Sequence, residues 1–142
     1  MLRAAIVGIC TWGLAVVPFL AAAQDVPPAD VRAVRQVIEA QLDAFKRDDA
    51  ARAFSYATSG IRATFGTAEN FMEMVRTQYA VVYRPRSVAF DPPIPLGDDL
   101  VQPVRFTDAD GRAWVGLYPM QRQADGTWRI DGCQLRRLGQ ET

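Results

Sequence analysis

Arg129 and Asp131 stand two residues apart near the end of the chain. On an extended strand, that spacing puts both side chains on one face. A carboxylate beside a proton donor in an apolar pocket is what a cofactor-free isomerase or lyase would use. Burial would shift its pKa toward working pH. Asp131 with Tyr83 or Tyr56 is the one such pairing this sequence offers, and Arg105 with Tyr83 could complete a polar floor around Arg129 and Asp131. The competing reading of Arg129 and Asp131 is a cross-strand surface ion pair, which is common and contributes little. The aromatic set Tyr56, Tyr79, Tyr83, Trp114, Tyr118 and Trp128 offers a different chemistry. Aromatic walls with a few polar groups suit a small ligand, although the same residues also fill ordinary cores. The pocket candidates are therefore Tyr56, Tyr83, Arg105, Trp114, Tyr118, Arg129 and Asp131, and no residue is assigned a catalytic role.

Other chemistry is excluded by what is missing. The sequence has no histidine. That removes His-based zinc sites, Ser-His-Asp triads and histidine acid–base catalysis. Asp108-Ala109-Asp110-Gly111 echoes a calcium loop, but it lacks the third ligand before the glycine and the downstream bidentate glutamate. It reads as a hairpin turn, and no metal or cofactor is expected. Arg84 and Arg86 flank Pro85, yet two charges are a weak anion signal.

These residues must be positioned by elements that the hydrophobic period reveals. Val31, Val34, Ile38, Leu42 and Phe45 recur at helical spacing, with Asp30 as a cap. Asp48-Asp49 breaks that helix and caps a second one, running to about Ala57. Ile61 to Phe65 can add an extra turn. Thr67 caps a third helix, whose stripe is Phe71, Met74, Val75, Tyr79 and Val82.

Beyond Tyr83 the period changes. Strands are expected at Arg86–Phe90, Val101–Thr107, Arg112–Arg122 and Thr127–Leu135, with Pro92–Asp99 as a loop. Asp-Gly turns separate the last three. Three N-terminal helices followed by a four-stranded antiparallel meander make an α+β domain with its helices on one face of the sheet. On the third strand, Trp114, Tyr118 and Met120 share one face, and Ala113, Val115 and Leu117 the other. Both faces are apolar, which favours a pocket, a partner or a homodimer on the face away from the helices.

The first residues give an address. Arg3 precedes an uncharged stretch from Ala4 to Ala23, broken by Pro18 and ending in three alanines before Gln24-Asp25. That pattern is a Sec-type signal peptide over residues 1–23, cleaved between Ala23 and Gln24, with an uncleaved membrane anchor as the alternative. Either way the remainder is exported to the periplasm or secreted. Residues 24–29 form a linker, 30–138 the domain and 139–142 a tail. Cys10 follows Ile9, so no lipobox is present. Loss of Cys10 with the leader leaves Cys133 alone, as a buried inert thiol, a reactive one or an intermolecular partner. With no second cysteine and no histidine, the buried reading is preferred. The exported part carries 15 basic against 16 acidic side chains, so nothing points to nucleic acid.

The segment Val37 to Phe45, then Asp48-Asp49 and Ala53-Phe54, resembles the opening of a bacterial secreted domain-of-unknown-function family, number 4864. Phe71 to Val75 with Tyr79, Tyr83-Arg84-Pro85 and the ending Gly126 to Leu135 resemble it too. Trp128-Arg129-Ile130-Asp131-Gly132 on a late strand is similar to the nuclear transport factor 2-like, cystatin-like superfamily. This resemblance implies a cone-shaped α+β roll, its sheet curved around the first helix. That superfamily holds enzymes, ligand binders and interaction modules, so the fold does not choose among them. The leading expectation is a non-enzymatic module that binds a small apolar or amphipathic molecule or an envelope protein. The alternatives are the Asp–Tyr isomerase or lyase and a structural homodimer subunit.

Overall fold

Two prolines start the first helix. Pro27 is its cap and Pro28 its first residue, where a missing N–H costs nothing. The computed structural model of the chain describes residues 25–139. The leader, the Ala23–Gln24 cleavage position and the tail from residue 140 onward lie outside the described residues. Helix α1 spans Pro28–Lys46 and buries Val34, Ile38, Leu42 and Phe45, the stripe its period predicts. Asp30 is not the cap. It lies in the first turn and pairs with Arg122 at 2.7 Å.

Among the described residues the helical part holds five helices, which corrects the expected three. Asp48, at φ 53°, turns the chain sharply after α1, a conformation that a short polar side chain tolerates. Helix α2 (Ala50–Ser55) follows, with the Asp49 carboxylate accepting from the Arg52 amide. The expected extra turn is a helix of its own, α3 (Ser59–Phe65), because Thr58 is extended and its hydroxyl accepts from the Ile61 amide. Thr67 caps α4 (Ala68–Gln78) as expected. That helix stops at Tyr79, whose backbone leaves helical geometry at φ −127°, ψ 45°. The stripe then continues on a separate short helix, α5 (Ala80–Tyr83).

The sheet is antiparallel, as expected. A path of four strands, β1 (Ser87–Phe90), β3 (Asp99–Thr107), β4 (Ala113–Arg122) and β5 (Trp128–Ile130), forms its frame. Two short strands bring it to six. Ile94–Leu96, inside the expected loop, is β2 and pairs with the first half of β3. The expected last strand is broken at Asp131-Gly132-Cys133, so β6 (Gln134–Arg137) pairs with the first half of β4 while β5 pairs with the second half. Gly132, at φ 128°, supplies the break, in a region that side chains avoid.

Strand alternation decides which residues meet the helices. Leu100, Val104 and Phe106 of β3 and Tyr118 and Met120 of β4 face inward and are buried with the helix stripes. Two buried amides are satisfied. Gln41 donates to the Ala53 carbonyl, and Gln102 donates to the carbonyls of Asp91 and Pro103. The chain after α2 is stitched to the edge of β5: Thr58 N–H donates to Ile130 O and Ile130 N–H to Tyr56 O, both at 2.9 Å. This stitch joins the helical layer to the sheet beside the cavity described next.

Candidate functional site

A cavity of about 380 Å³ lies between the helices and the inner face of the sheet. That volume falls within the roughly 300–1,000 Å³ typical of small-molecule sites. Phe45 comes from α1, Ile61 and Phe65 from α3, and Phe71, Met74 and Val75 from α4. Phe71 is the hub of this wall, with ring centroids 5.7 Å from Phe65 and 6.2 Å from Phe45. The sheet side contributes Tyr118, Ile130, Gly132 and Cys133. Gln78, exposed at the end of α4, stands where the cavity meets solvent.

Among the described residues, none that lines the cavity is charged. The polar groups are few, and two of them are already engaged. The Tyr79 hydroxyl donates to the Cys133 carbonyl at 3.0 Å, and the Gln41 amide serves Ala53. The Tyr118 hydroxyl differs. Its side chain is 1% exposed, and its oxygen has no hydrogen-bond partner of proper geometry. The Cys133 thiol is its polar neighbour, and a thiol is a weak donor and weak acceptor. Burial holds the Tyr118 phenol well above its ordinary pKa and pushes the Cys133 thiol up to about 12. Both groups are therefore neutral at physiological pH. Cys133 itself is half-buried, a cavity-wall residue more than a core one.

The structure places the sequence candidates apart. Of the seven, Tyr118 alone lines the cavity. Tyr56 closes α2 and accepts from Arg52 Nε at 3.2 Å. Tyr83 ends α5, and its hydroxyl donates to Asp48. Arg84 stacks on the Tyr83 ring 4.0 Å from its centroid, and Arg76 lies beyond. The Tyr83 hydroxyl, aided by Arg76 and Arg84, holds the Asp48 carboxyl below its usual range. Arg105 is exposed and pairs with Asp91 at 3.1 Å.

The Trp114 indole donates to Asp108 at 2.9 Å inside the hairpin turn and lowers that carboxyl's pKa. Arg129 donates to the Ser55 carbonyl. Asp131 meets no tyrosine; it accepts from Thr58 Oγ1 at 2.7 Å and Gln121 Nε2 at 3.0 Å. Among the described residues, no group of three or more His, Cys, Asp or Glu is placed to hold a metal ion.

Sequence reasoning by residue type missed most of the cavity. Tyr79 stood in the wider aromatic set, but Phe45, Phe71 and Val75 read only as helix stripe. Their shared inward face was the available signal.

The model of a family described as a domain of unknown function, DUF4864, matches residues 28–142. The chain belongs to this family. Among solved structures, Aln2 from a Streptomyces species is similar to the DUF4864 domain with a TM-score of 0.52, over 80% of this chain and 94% of that one. At 16% identity the likeness concerns the fold alone. No curated protein matches the chain.

Proposed function

We propose that this DUF4864 domain is a non-enzymatic binding module that takes a small, largely apolar molecule into the cavity beneath α3 and α4. The carrying observation is the uncharged, largely aromatic hollow of about 380 Å³ between the helices and the sheet. A well-packed core leaves few voids larger than a water molecule. The enzymatic alternative loses support from the placement of Asp131, the one carboxylate proposed as a base. Its oxygens are engaged by Thr58 and Gln121, and it does not line the cavity. Arg3 and the uncharged stretch to Ala23 favour a place of action outside the cytoplasm, in the periplasm or beyond.

Native mass spectrometry of protein purified from its own envelope tests the reading. The expected result is a co-purifying small molecule that is released on denaturation. It should be absent from a Met74→Trp variant, in which an indole occupies the cavity. Ligand retention by that variant at the wild-type level, or a wild-type protein that captures nothing from a lipid extract, would overturn the proposal.

A further inference from the structure

The wall that α1 gives the cavity carries a buried glutamine, and the protein serves only one end of its amide. We infer that the ligand is uncharged and carries a hydrogen-bond donor, a hydroxyl or N–H, at its inner end, where it donates to Gln41 Oε1. This inference rests on the binding-module reading and adds the ligand's class and orientation.

Gln41 stands on the buried face of α1, about one turn from Ile38 and from Phe45, and is 3% exposed. A glutamine so placed is costly unless both ends of its amide find partners. One end does. Gln41 Nε2 donates to the Ala53 carbonyl at 3.1 Å, and that bond fixes which end of the amide is the nitrogen. Oε1 is the other end, and no donor among the described residues is bonded to it. Nor is it sealed in. The fully enclosed, unpartnered side-chain atoms among the described residues belong to Arg62, Tyr118 and Trp128, and Gln41 Oε1 is not one of them. The oxygen therefore keeps accessible surface, and the space beside Gln41 is the cavity that it lines.

What serves that oxygen must be a donor, and a neutral one. No Asp, Glu, Lys or Arg among the described residues lines the cavity, so an ammonium donor would find no counter-charge there, and neither would a carboxylate elsewhere on the ligand. An ion buried without a partner is far more costly than a neutral dipole. The protein's own donors are not to hand. The Tyr79 hydroxyl is spent on the Cys133 carbonyl, and the Tyr118 hydroxyl is enclosed. Gln78, the other glutamine of the lining, is exposed at the far end of α4. A ligand held at Gln41 lays its apolar body along Phe65, Phe71 and Met74 and points its outer end toward Gln78.

Competition against N-phenyl-1-naphthylamine, a neutral dye that brightens in apolar surroundings, tests the assignment on the purified protein at neutral pH. Three competitors differ at one position. 2-Naphthol offers an O–H, 2-methoxynaphthalene keeps the oxygen without the proton, and 2-naphthoate is an anion. The methoxy compound is the more apolar of the first two, so burial alone favours it. The naphthol should nevertheless bind about three- to tenfold tighter, the worth of one net hydrogen bond. The naphthoate should bind at least about 100-fold more weakly than the naphthol. Gln41→Met keeps the length of the side chain and lacks the acceptor. It should remove the preference for naphthol and leave methoxynaphthalene unchanged.

Equal or weaker binding of naphthol by wild type would overturn the Gln41 assignment, the oxygen then being served by water, while dye binding would still mark the cavity as a site. A preference that survives in Gln41→Met would overturn it as well. Naphthoate binding on a par with naphthol would overturn the uncharged class. Failure of the dye and all three competitors to bind would overturn the binding-module reading together with the inference. The wild-type comparison needs no variant, so it decides the matter even if Gln41→Met does not fold.

Discussion

The Thr58 hydroxyl donates to Asp131 Oδ1 at 2.7 Å across 73 residues of sequence, while the same oxygen accepts from the Ile61 amide at 3.3 Å. One side chain thus starts α3 and fastens it to the break between β5 and β6. Gln121 holds the other carboxylate oxygen at 3.0 Å. Ile61 and Phe65 of α3 form one wall of the cavity, so Asp131 braces the cavity from outside it.

That brace makes a prediction about stability. Thr58→Ala removes a helix cap and should cost about 1 kcal/mol. Asp131→Ala leaves the Thr58 O–H and the Gln121 side-chain N–H without their acceptor and should cost about 1–2 kcal/mol. The double variant should cost clearly less than the sum, because both changes remove one shared interaction. Urea unfolding of the four proteins measures this. Additive losses would show that the two residues act separately.

Much of this arrangement is legible in the sequence, and the reasons for the rest are physical. The stripe from Val34 to Phe45 and the Asp-Gly turns announce α1 and the hairpins, because period and turn chemistry are local properties. The break at Tyr79 is not legible. Val75, Tyr79 and Val82 keep helical spacing through it, so hydrophobicity carries no mark of the backbone change. Thr58 was readable as a cap before Ser59-Gly60-Ile61, and overlooking it hid α3. Among the candidate residues, Trp114 and Tyr118 share a strand face with buried Met120, so the face alone does not separate the cavity residue from the one held by Asp108. The partners of the others come from distant segments: Asp48 for Tyr83, Ser55 for Arg129, Asp91 for Arg105. No spacing rule pairs residues that only the tertiary fold brings together.

The orphan hydroxyl of Tyr118 makes a prediction independent of any ligand. Tyr118→Phe keeps the ring and deletes an unsatisfied buried group. In ligand-free protein it should leave stability unchanged or raise it by up to about 1 kcal/mol, whereas deleting a satisfied hydroxyl usually lowers it. Thermal unfolding of the two proteins is the measurement. A drop of more than about 1 kcal/mol would mean that the hydroxyl has a good partner in solution.

Cys133 should give the protein an alkaline limit. The folded thiol is held up to about 12, above its ordinary value of 9.0, by burial. Below the unfolded-state pKa both states keep the proton, and the thiol does not oppose folding. As pH rises from about 9 toward 12, the unfolded chain ionises first and stability falls. The phenols of buried Tyr118 and half-buried Tyr79, both raised, act in the same direction. Unfolding midpoints measured from pH 8 to 11 should decline in wild type and less steeply in Cys133→Ala. An identical slope in the variant would show that the thiol is not the source. Reaction of the native thiol with a disulfide reagent at pH 8 should be far slower than that of the urea-unfolded chain.

Gly116 sets how closely the sheet side of the cavity packs. It lies on the inward face of β4 between Trp114 and Tyr118. A Cβ there would meet Phe106 Cε2 at 3.0 Å, Cys133 Sγ at 3.1 Å and Tyr118 Cε2 at 3.1 Å. Two effects oppose each other in Gly116→Ala. Loss of backbone freedom in the unfolded chain favours alanine by about 0.4–1 kcal/mol where the native conformation allows it. Overpacking costs about 1–3 kcal/mol when neighbours cannot yield. Two of the three neighbours are aromatic rings that are 1% exposed, and Phe106, the nearest, does not border the cavity, so the packing term should win. The variant should lose about 1–2 kcal/mol of stability. The cheapest relief is for Tyr118 and Cys133 to move into the cavity, so binding of an apolar probe should weaken as well. A stable variant with undiminished probe binding would show that the ring and thiol have room to retreat without entering the cavity.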